Sequence, residues 1–275
     1  VVLGISENHV EFCARADLGW LDEGGVVLAE QVDAAARALK SSSFVVLGYT
    51  ENPGEHRERL VRFASKIKGR VTDVLMAASD RYWFATPSEL MPPEGYAWDP
   101  AATALSAEAV FLGIQVARNR ADVIAEVRPS GEPAEVEFLT ESALEYVAEL
   151  SQRQRRELME TLLTGGEPLL PVEGAQLAVL VGDPRLAGEV VARLDRESAA
   201  RLRPRIAYAR RMCSDAQASD VLAMLALICW YDNQGAQQAE CLEQLEKLAP
   251  QHRLLPLLQG LRALAIKPPA SFPPF

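Results

Sequence analysis

Residues Phe44-Val-Val-Leu-Gly-Tyr49 give the clearest indication of the fold class, because they form a continuous β-rich run between two segments of helical periodicity. A short run that is apolar on both faces is typical of a strand buried inside a sheet. Apolar residues recur at helical spacing in residues 28–39 before it and in residues 55–67 after it. A buried strand flanked by two helices predicts a layered α/β domain.

Further strands are predicted on both sides of this unit. Residues 71–77 and 81–85 indicate two strands downstream. Upstream, the apolar run 1–5 and the alternating run 10–16 are joined by a short polar turn, which predicts an antiparallel hairpin. Strands connected through helices run parallel, so the added hairpin makes the sheet mixed. We therefore expect an α/β domain with a mixed sheet over residues 1–128.

After this domain the pattern is helical almost throughout. The turn-forming residues Pro129-Ser-Gly-Glu-Pro133 mark the expected linker, residues 129–136. A helical region over residues 137–267 follows, and residues 268–275 form a proline-rich tail. The predicted fold class is α/β (α+β), with a mixed-sheet layered α/β N-terminal domain followed by an all-helical C-terminal region.

A helical hairpin is predicted near the end of the chain. Residues 216–231 and 236–248 have helical patterns and are joined by the turn Asp232-Asn-Gln-Gly235. This hairpin resembles one tetratricopeptide unit, but no second copy recurs at a fixed period. Because repeat solenoids need about three copies for stability, a single hairpin that packs on neighbouring helices is favoured.

The composition of the chain restricts the classes of protein to which it can belong. The chain has 275 residues, of which 49% are hydrophobic, so it can bury one large core or two modest ones. Its net charge of −10 is not that expected of a nucleic-acid-binding protein. No apolar run approaches about 20 residues, so no segment is expected to span a membrane and no membrane partner is predicted. Because the chain begins at Val1 without a methionine, we expect the natural N-terminus to lie upstream.

The cysteine pattern indicates the compartment. The four cysteines lie in apolar or helical contexts and form no CxxC pair: Cys13, Cys213, Cys229 and Cys241. So few cysteines in a chain of this length predict free, mostly buried thiols rather than a disulfide framework. Free thiols are typical of a reducing compartment, so a cytoplasmic location is expected.

Neither a metal nor a cofactor is predicted. His9, His56 and His252 are far apart in sequence, and no zinc, EF-hand or nucleotide-binding spacing is present. The loop 48–54 follows the buried strand and precedes a helix, a place where α/β sheets often bind anions. Acidic residues in and beside this loop would repel phosphate, so an ordinary connection is favoured.

The most specific hypothesis for a functional site combines carboxylates with arginines. Arg15 and Asp17 share one face at the end of a predicted strand, and Glu94 lies in a loop that two prolines make rigid. Asp17 or Glu94 is the candidate acid or base, and the arginines would hold an anion. The candidate ligand-binding residues are Arg15, Arg81, Tyr82, Trp83 and Arg120. The alternative is a structural Arg15–Asp17 ion pair with Trp83 in the core.

Arginines also crowd one segment of the helical region. They are Arg196, Arg201, Arg203, Arg205, Arg210 and Arg211, and a smaller cluster precedes them at Arg153, Arg155 and Arg156. Such a segment could bind nucleic acid or an acidic partner. It could equally pair with the acidic remainder of the protein or form a solvated helix face. We favour these two structural explanations over binding, because Tyr208 is the one aromatic residue among the arginines of this segment. Proteins that bind single-stranded nucleic acid need aromatic side chains on which the bases stack.

Several segments occur in the order typical of one known family. They are Val10-Glu-Phe-Cys-Ala-Arg-Ala-Asp-Leu18, Asp80-Arg-Tyr-Trp83, Pro92-Pro-Glu-Gly95, Ala107-Glu-Ala-Val110 with Gly113, Arg118-x-Arg120, Asp183-Pro184 and the hairpin from Trp230 to Gly235. Together they resemble the actinobacterial domain of unknown function 4192 family over nearly the whole chain. The resemblance implies no activity, substrate or cofactor. Family members often have cysteines before the Pro-Pro-Glu-Gly loop, whereas residues 86–91 here have none, so the resemblance carries no thiolate metal site to this chain.

Three functions remain open at this point. A non-catalytic binding or regulatory module for a small molecule or a protein partner is favoured, because no recognisable catalytic constellation occurs. An enzyme of unrecognised type would have its site near Arg15, Asp17, Arg81 and Glu94, and those four side chains should then converge on one pocket. Binding of nucleic acid or an acidic partner through Arg196–Arg211 is the third.

Overall fold

The computed structural model describes residues 1–7, 9–86, 92–99, 102–103, 108, 120–263, 266 and 268–269. The chain divides into two compact units, Val1–Val116 and Ala117–Phe275, and each has its own hydrophobic core. Residues 106–115, where the Ser106-Ala-Glu108 start predicts a helix, lie almost entirely outside the described residues, as does most of the proline-rich tail.

A six-stranded sheet forms the first unit. Its strands are β1 (Val2–Ser6), β2 (His9–Ala14), β3 (Ser43–Tyr49), β4 (Arg70–Ala77), β5 (Arg81–Phe84) and β6 (Tyr96–Ala97). Their spatial order is β2-β1-β3-β4-β5-β6. The β3–β4 pair is parallel, whereas the other neighbouring pairs are antiparallel, so the predicted mixed sheet is confirmed. The β1–β2 pair confirms the predicted hairpin.

Two helices cover one face of this sheet. The apolar faces of α1 (Leu21–Leu39) and α2 (Pro53–Ala64) join one hydrophobic cluster with Phe44, Val46 and Met76, which point inward from the central strands. Alternate residues of a strand point to opposite faces, so a single set of strand positions serves both helices. The helix–strand–helix prediction around β3 is confirmed.

The second unit is helical. Its helices are α3 (Arg120–Ala125), α4 (Pro133–Glu149), α5 (Gln152–Thr164), α6 (Pro171–Val181), α7 (Pro184–Val191), α8 (Arg196–Arg211), α9 (Ala218–Tyr231), α10 (Gly235–Leu248) and α11 (Leu255–Ala263). Every residue from Val221 to Cys229 is buried, which places α9 at the centre of the core. The α9–α10 pair confirms the predicted helical hairpin. None of the described helices combines the length and apolar character needed to cross a membrane.

The division between the units differs from the expected one. It falls after Val116, upstream of the expected domain end at residue 128. The side-chain amide of Gln244 on α10 donates a hydrogen bond to the carbonyl of Val127 at 3.1 Å. This bond ties the segment after α3 to the helical unit. α4 then begins at Pro133, inside the expected linker.

The four cysteines give a direct test of this packing. Cys13 is exposed on β2, whereas Cys213, Cys229 and Cys241 are buried, and burial raises the pKa of the Cys213 and Cys241 thiols. Because the thiolate is the reactive form, we expect Ellman's reagent to react rapidly with one thiol of the native protein and with all four after unfolding. Loss of the rapid phase in Cys13→Ser is the control. A second rapid native thiol would contradict the buried placement.

Candidate functional site

The Pro-Pro-Glu-Gly loop is fastened to β5 by two of the predicted site residues. Arg81 Nη1 donates a hydrogen bond to the Glu94 carbonyl at 3.2 Å, and Trp83 Nε1 donates one to the Pro93 carbonyl at 3.3 Å. The amide of Gly95 donates to the carbonyl of Pro92 at 2.9 Å and closes the turn. Trp83 is also part of the sheet core. The contacts of Arg81 and Trp83 with this loop are therefore structural ones, to backbone carbonyls.

The strand order separates Arg15 from this loop. Arg15 follows β2 at one side of the sheet, whereas β5 is four positions away in the order. Neighbouring strands lie about 4.8 Å apart, so the two strands are about 19 Å apart across the sheet. Asp17 begins the turn back over the sheet, and its carbonyl accepts a hydrogen bond from the amide of Trp20 at 3.1 Å. The expectation that Arg15 converges on Glu94 is therefore not met.

The remaining sheet-edge candidates lie in different surroundings. The carboxylate of Glu94 is exposed. Tyr82 points to the face opposite Trp83 and stacks on Tyr96, with ring centroids 5.2 Å apart and planes 25° apart. Arg120 begins α3 and belongs to the second unit. Among the described residues no group of His, Cys, Asp or Glu side chains is arranged to hold a metal ion.

Within the arginine-rich segment, two side chains are held inside the helical unit by acidic partners. Arg203 Nε donates to Asp232 at 2.8 Å and its Nη1 donates to Glu126 at 2.9 Å. Burial opposes the charge of Arg203, but these two carboxylates raise its pKa overall. Arg210 is only 1% exposed and donates to Asp215 at 2.8 Å. These two arginines stabilise the packing of α8.

Two more arginines of the segment bind neutral groups. Arg205 donates to the carbonyls of Leu162 at 2.7 Å and Glu167 at 2.9 Å, at the end of α5. Arg211 Nε donates to the Ser130 hydroxyl at 2.8 Å. Four of the six arginines therefore have internal partners, which favours the structural interpretation over a basic surface for nucleic acid.

A groove lies between α5, α7 and α8, with a volume of about 560 Å³. Its floor is apolar and consists of Met159, Leu163, Leu186, Val190 and Leu202. Met159 and Leu186 are buried beneath it, whereas the other three are half-buried and accessible from the groove. The groove thus offers an apolar concave surface within the helical unit.

The rim of the groove is charged, and two of its groups are tightly held. Arg156 and Glu189 form two hydrogen bonds, which raise the pKa of Arg156. The carboxylate of Asp195 accepts a hydrogen bond from the amide of Ser198 at 2.7 Å and caps α8. This bond and one from the Ser198 hydroxyl hold the pKa of Asp195 below its usual value.

Two other arginines on the rim are loosely held. Arg193 has one contact with Glu160, at 3.5 Å, and Arg201 has one with Glu197, at 3.6 Å. Their side chains are 69% and 72% exposed. Exposed pairs at such distances contribute little stability. Arg193 and Arg201 therefore keep most of their hydrogen-bond donors available.

Part of this groove is visible in the sequence. The cluster at residues 153–156 and the segment 196–211 each contribute arginines to one rim. Met159 and Leu163 are spaced by four residues, and so lie on one face of α5. What the sequence could not give is the packing of α5, α7 and α8 that brings these elements together.

The chain matches a known family of proteins. A family model described as a domain of unknown function, DUF4192, matches residues 1–268. Neither a curated protein nor a solved structure matches the chain.

Proposed function

Because the chain belongs to the DUF4192 family, whose description assigns no activity, we propose from the geometry alone that it is a non-catalytic binding module for a small, largely apolar organic molecule. The observation that carries this proposal is the groove between α5, α7 and α8. Its volume of about 560 Å³ falls within the range of about 300–1,000 Å³ that is usual for small-molecule sites. Its apolar floor matches the usual lining of such sites, whereas its rim, with seven charged side chains, is more polar than is usual.

Fewer observations support the two other functions, an enzyme at the sheet edge and nucleic-acid binding through α8. An enzyme at the sheet edge would use Arg81 and Trp83 on a substrate, yet both donate hydrogen bonds to loop carbonyls. Nucleic-acid binding through α8 would need outward-facing arginines, yet most arginines of that segment donate to partners within the helical unit.

A reducing, cytoplasmic location is supported by the four free thiols.

Filling the groove should weaken binding of an uncharged apolar probe. N-phenyl-1-naphthylamine fluoresces strongly in apolar sites, and we expect the wild-type protein to bind it. Leu163→Trp places a large ring over the half-buried floor, so we expect probe affinity to fall at least about tenfold, the loss that corresponds to about 1.4 kcal/mol of apolar contact. Fluorescence titration at fixed protein concentration measures this change.

The matched control is Leu257→Trp, because Leu257 is 54% exposed and lies outside the groove. It should bind the probe as the wild type does. Val190→Trp fills the same groove from α7 and guards against a folding defect particular to Leu163→Trp. Failure of the wild type to bind, or equal binding by all three variants with unchanged melting temperatures, would refute the proposal.

A further inference from the structure

We infer that the ligand of this groove carries an anionic group, and that Arg193 and Arg201 bind it. This inference rests on the proposed function and specifies the chemical class of the ligand. It predicts an amphiphile whose apolar body lies on Leu163, Val190 and Leu202, and whose carboxylate, sulfonate or phosphate reaches the rim.

The first argument is the availability of donors. A guanidinium has five N–H donors in a planar fork that fits an oxyanion. Arg193 and Arg201 each make a single distant ion-pair contact and are mostly exposed. By contrast, Arg156 is bound by both oxygens of Glu189, and Arg205 donates to backbone carbonyls. Among the rim arginines in the part of the chain that the structure describes, Arg193 and Arg201 are therefore the two with donors available for a ligand.

The second argument concerns the acids on the same rim. Glu189 is occupied by Arg156, and Asp195 accepts hydrogen bonds from the amide of Ser198 and from its hydroxyl. These two carboxylates are therefore poorly placed to bind a ligand cation. The third acid of the lining, Glu160, is exposed and faces Arg193 at 3.5 Å, so a cation bound there would also meet the charge of that arginine. Four arginines and three acids line the groove, so its net formal charge is positive although the whole chain carries −10. Charge complementarity thus favours an anion over a cation.

The third argument is the position of the two arginines beside an apolar floor. A bound apolar body excludes water from the groove and lowers the local dielectric constant, which strengthens a nearby ion pair. The exposed contacts to Glu160 and Glu197 are weak and can be exchanged for a ligand anion. The apolar and ionic contacts therefore support each other in one ligand.

Two probes that differ by one charged group test the inference. They are N-phenyl-1-naphthylamine, which is uncharged, and 1-anilinonaphthalene-8-sulfonate, which adds a sulfonate. We expect the wild type to bind the sulfonate more tightly. Arg193→Gln/Arg201→Gln should weaken sulfonate binding about tenfold and change binding of the uncharged probe less than about twofold. Leu163→Trp should weaken both.

The matched control is Arg153→Gln/Arg196→Gln, which removes the same charge from exposed arginines outside the groove. If both double variants lose sulfonate affinity equally, net charge explains the effect and the inference is wrong. If sulfonate binding depends on Leu163 but not on Arg193 and Arg201, the ligand class is wrong and the proposed function stands. If neither probe responds to Leu163→Trp, the proposed function fails and the inference fails with it.

Discussion

Arg210→Ala should lower the free energy of unfolding of the helical unit by about 3–5 kcal/mol. The Arg210 side chain is 1% exposed and lies between α8 and α10. It donates to Asp215 at 2.8 Å, to Gln244 at 3.2 Å and to the Cys213 carbonyl at 3.3 Å. Truncation leaves a cavity and removes the donor for a buried carbonyl, and each effect is destabilising.

The loss comes mainly from the buried acceptors, not from the ion pair. Asp215 is 62% exposed, so water can solvate its carboxylate when the arginine is absent. The Cys213 carbonyl and the Gln244 amide lie deeper, and Gln244 also bonds to Glu240 and to Val127. Removing Arg210 should therefore also loosen the attachment of the segment after α3.

Denaturant unfolding followed by far-UV circular dichroism measures the change, because the second unit contains most of the helix. Arg211→Ala is the matched control on the adjacent residue. Arg211 is half-buried, donates to the Ser130 hydroxyl and lies 5.9 Å from the centre of the Tyr208 ring. We expect that control to lose about 1 kcal/mol or less. Equal losses for the two variants would show that the burial of Arg210 has no special role.

The arginines of α8 also show which part of the structure the sequence does not predict. In α8, Arg203 and Arg210 are seven residues apart and share one face, whereas Arg201 and Arg205 are four apart and share another. Helical periodicity thus places these two pairs on opposite faces of α8. It does not say which face is buried against α9 and α10, since that depends on Asp232 and Asp215, which lie in later parts of the chain.

The fold was more accessible to prediction than the site. The opening hairpin and the α9–α10 hairpin follow from local periodicity and turn residues, whereas the buried strand β3 follows from the shortness and β-branched content of its apolar run. Strand order does not follow from period, since any strand with two apolar faces can sit centrally. The sheet-edge site required the end of β2 to lie near β5, and the strand order places β1, β3 and β4 between them.

Gly95→Ala is expected to destabilise the sheet edge of the first unit by about 2–4 kcal/mol. Gly95 has a φ of 78°, a conformation that costs an L-residue about 1–2 kcal/mol. An added Cβ would lie 2.4 Å from the Trp83 ring and 2.8 Å from the Tyr82 carbonyl oxygen. Neither can move freely, because Trp83 is in the core and Tyr82 is paired with Ala77 on β4.

Relief of this clash requires the loop to detach from β5, so the effect should be local as well as global. We expect faster hydrogen exchange at the amides of Gly95 and Trp98, which donate to the carbonyls of Pro92 and Asp80. Gly54→Ala is the control, because Gly54 lies in the first turn of α2 and an added Cβ would meet no atom within 4 Å. That variant should be neutral or slightly more stable, since alanine favours a helix. If Gly95→Ala matches it in stability and exchange, the fastening of the loop by Arg81 and Trp83 does not determine the geometry of this edge.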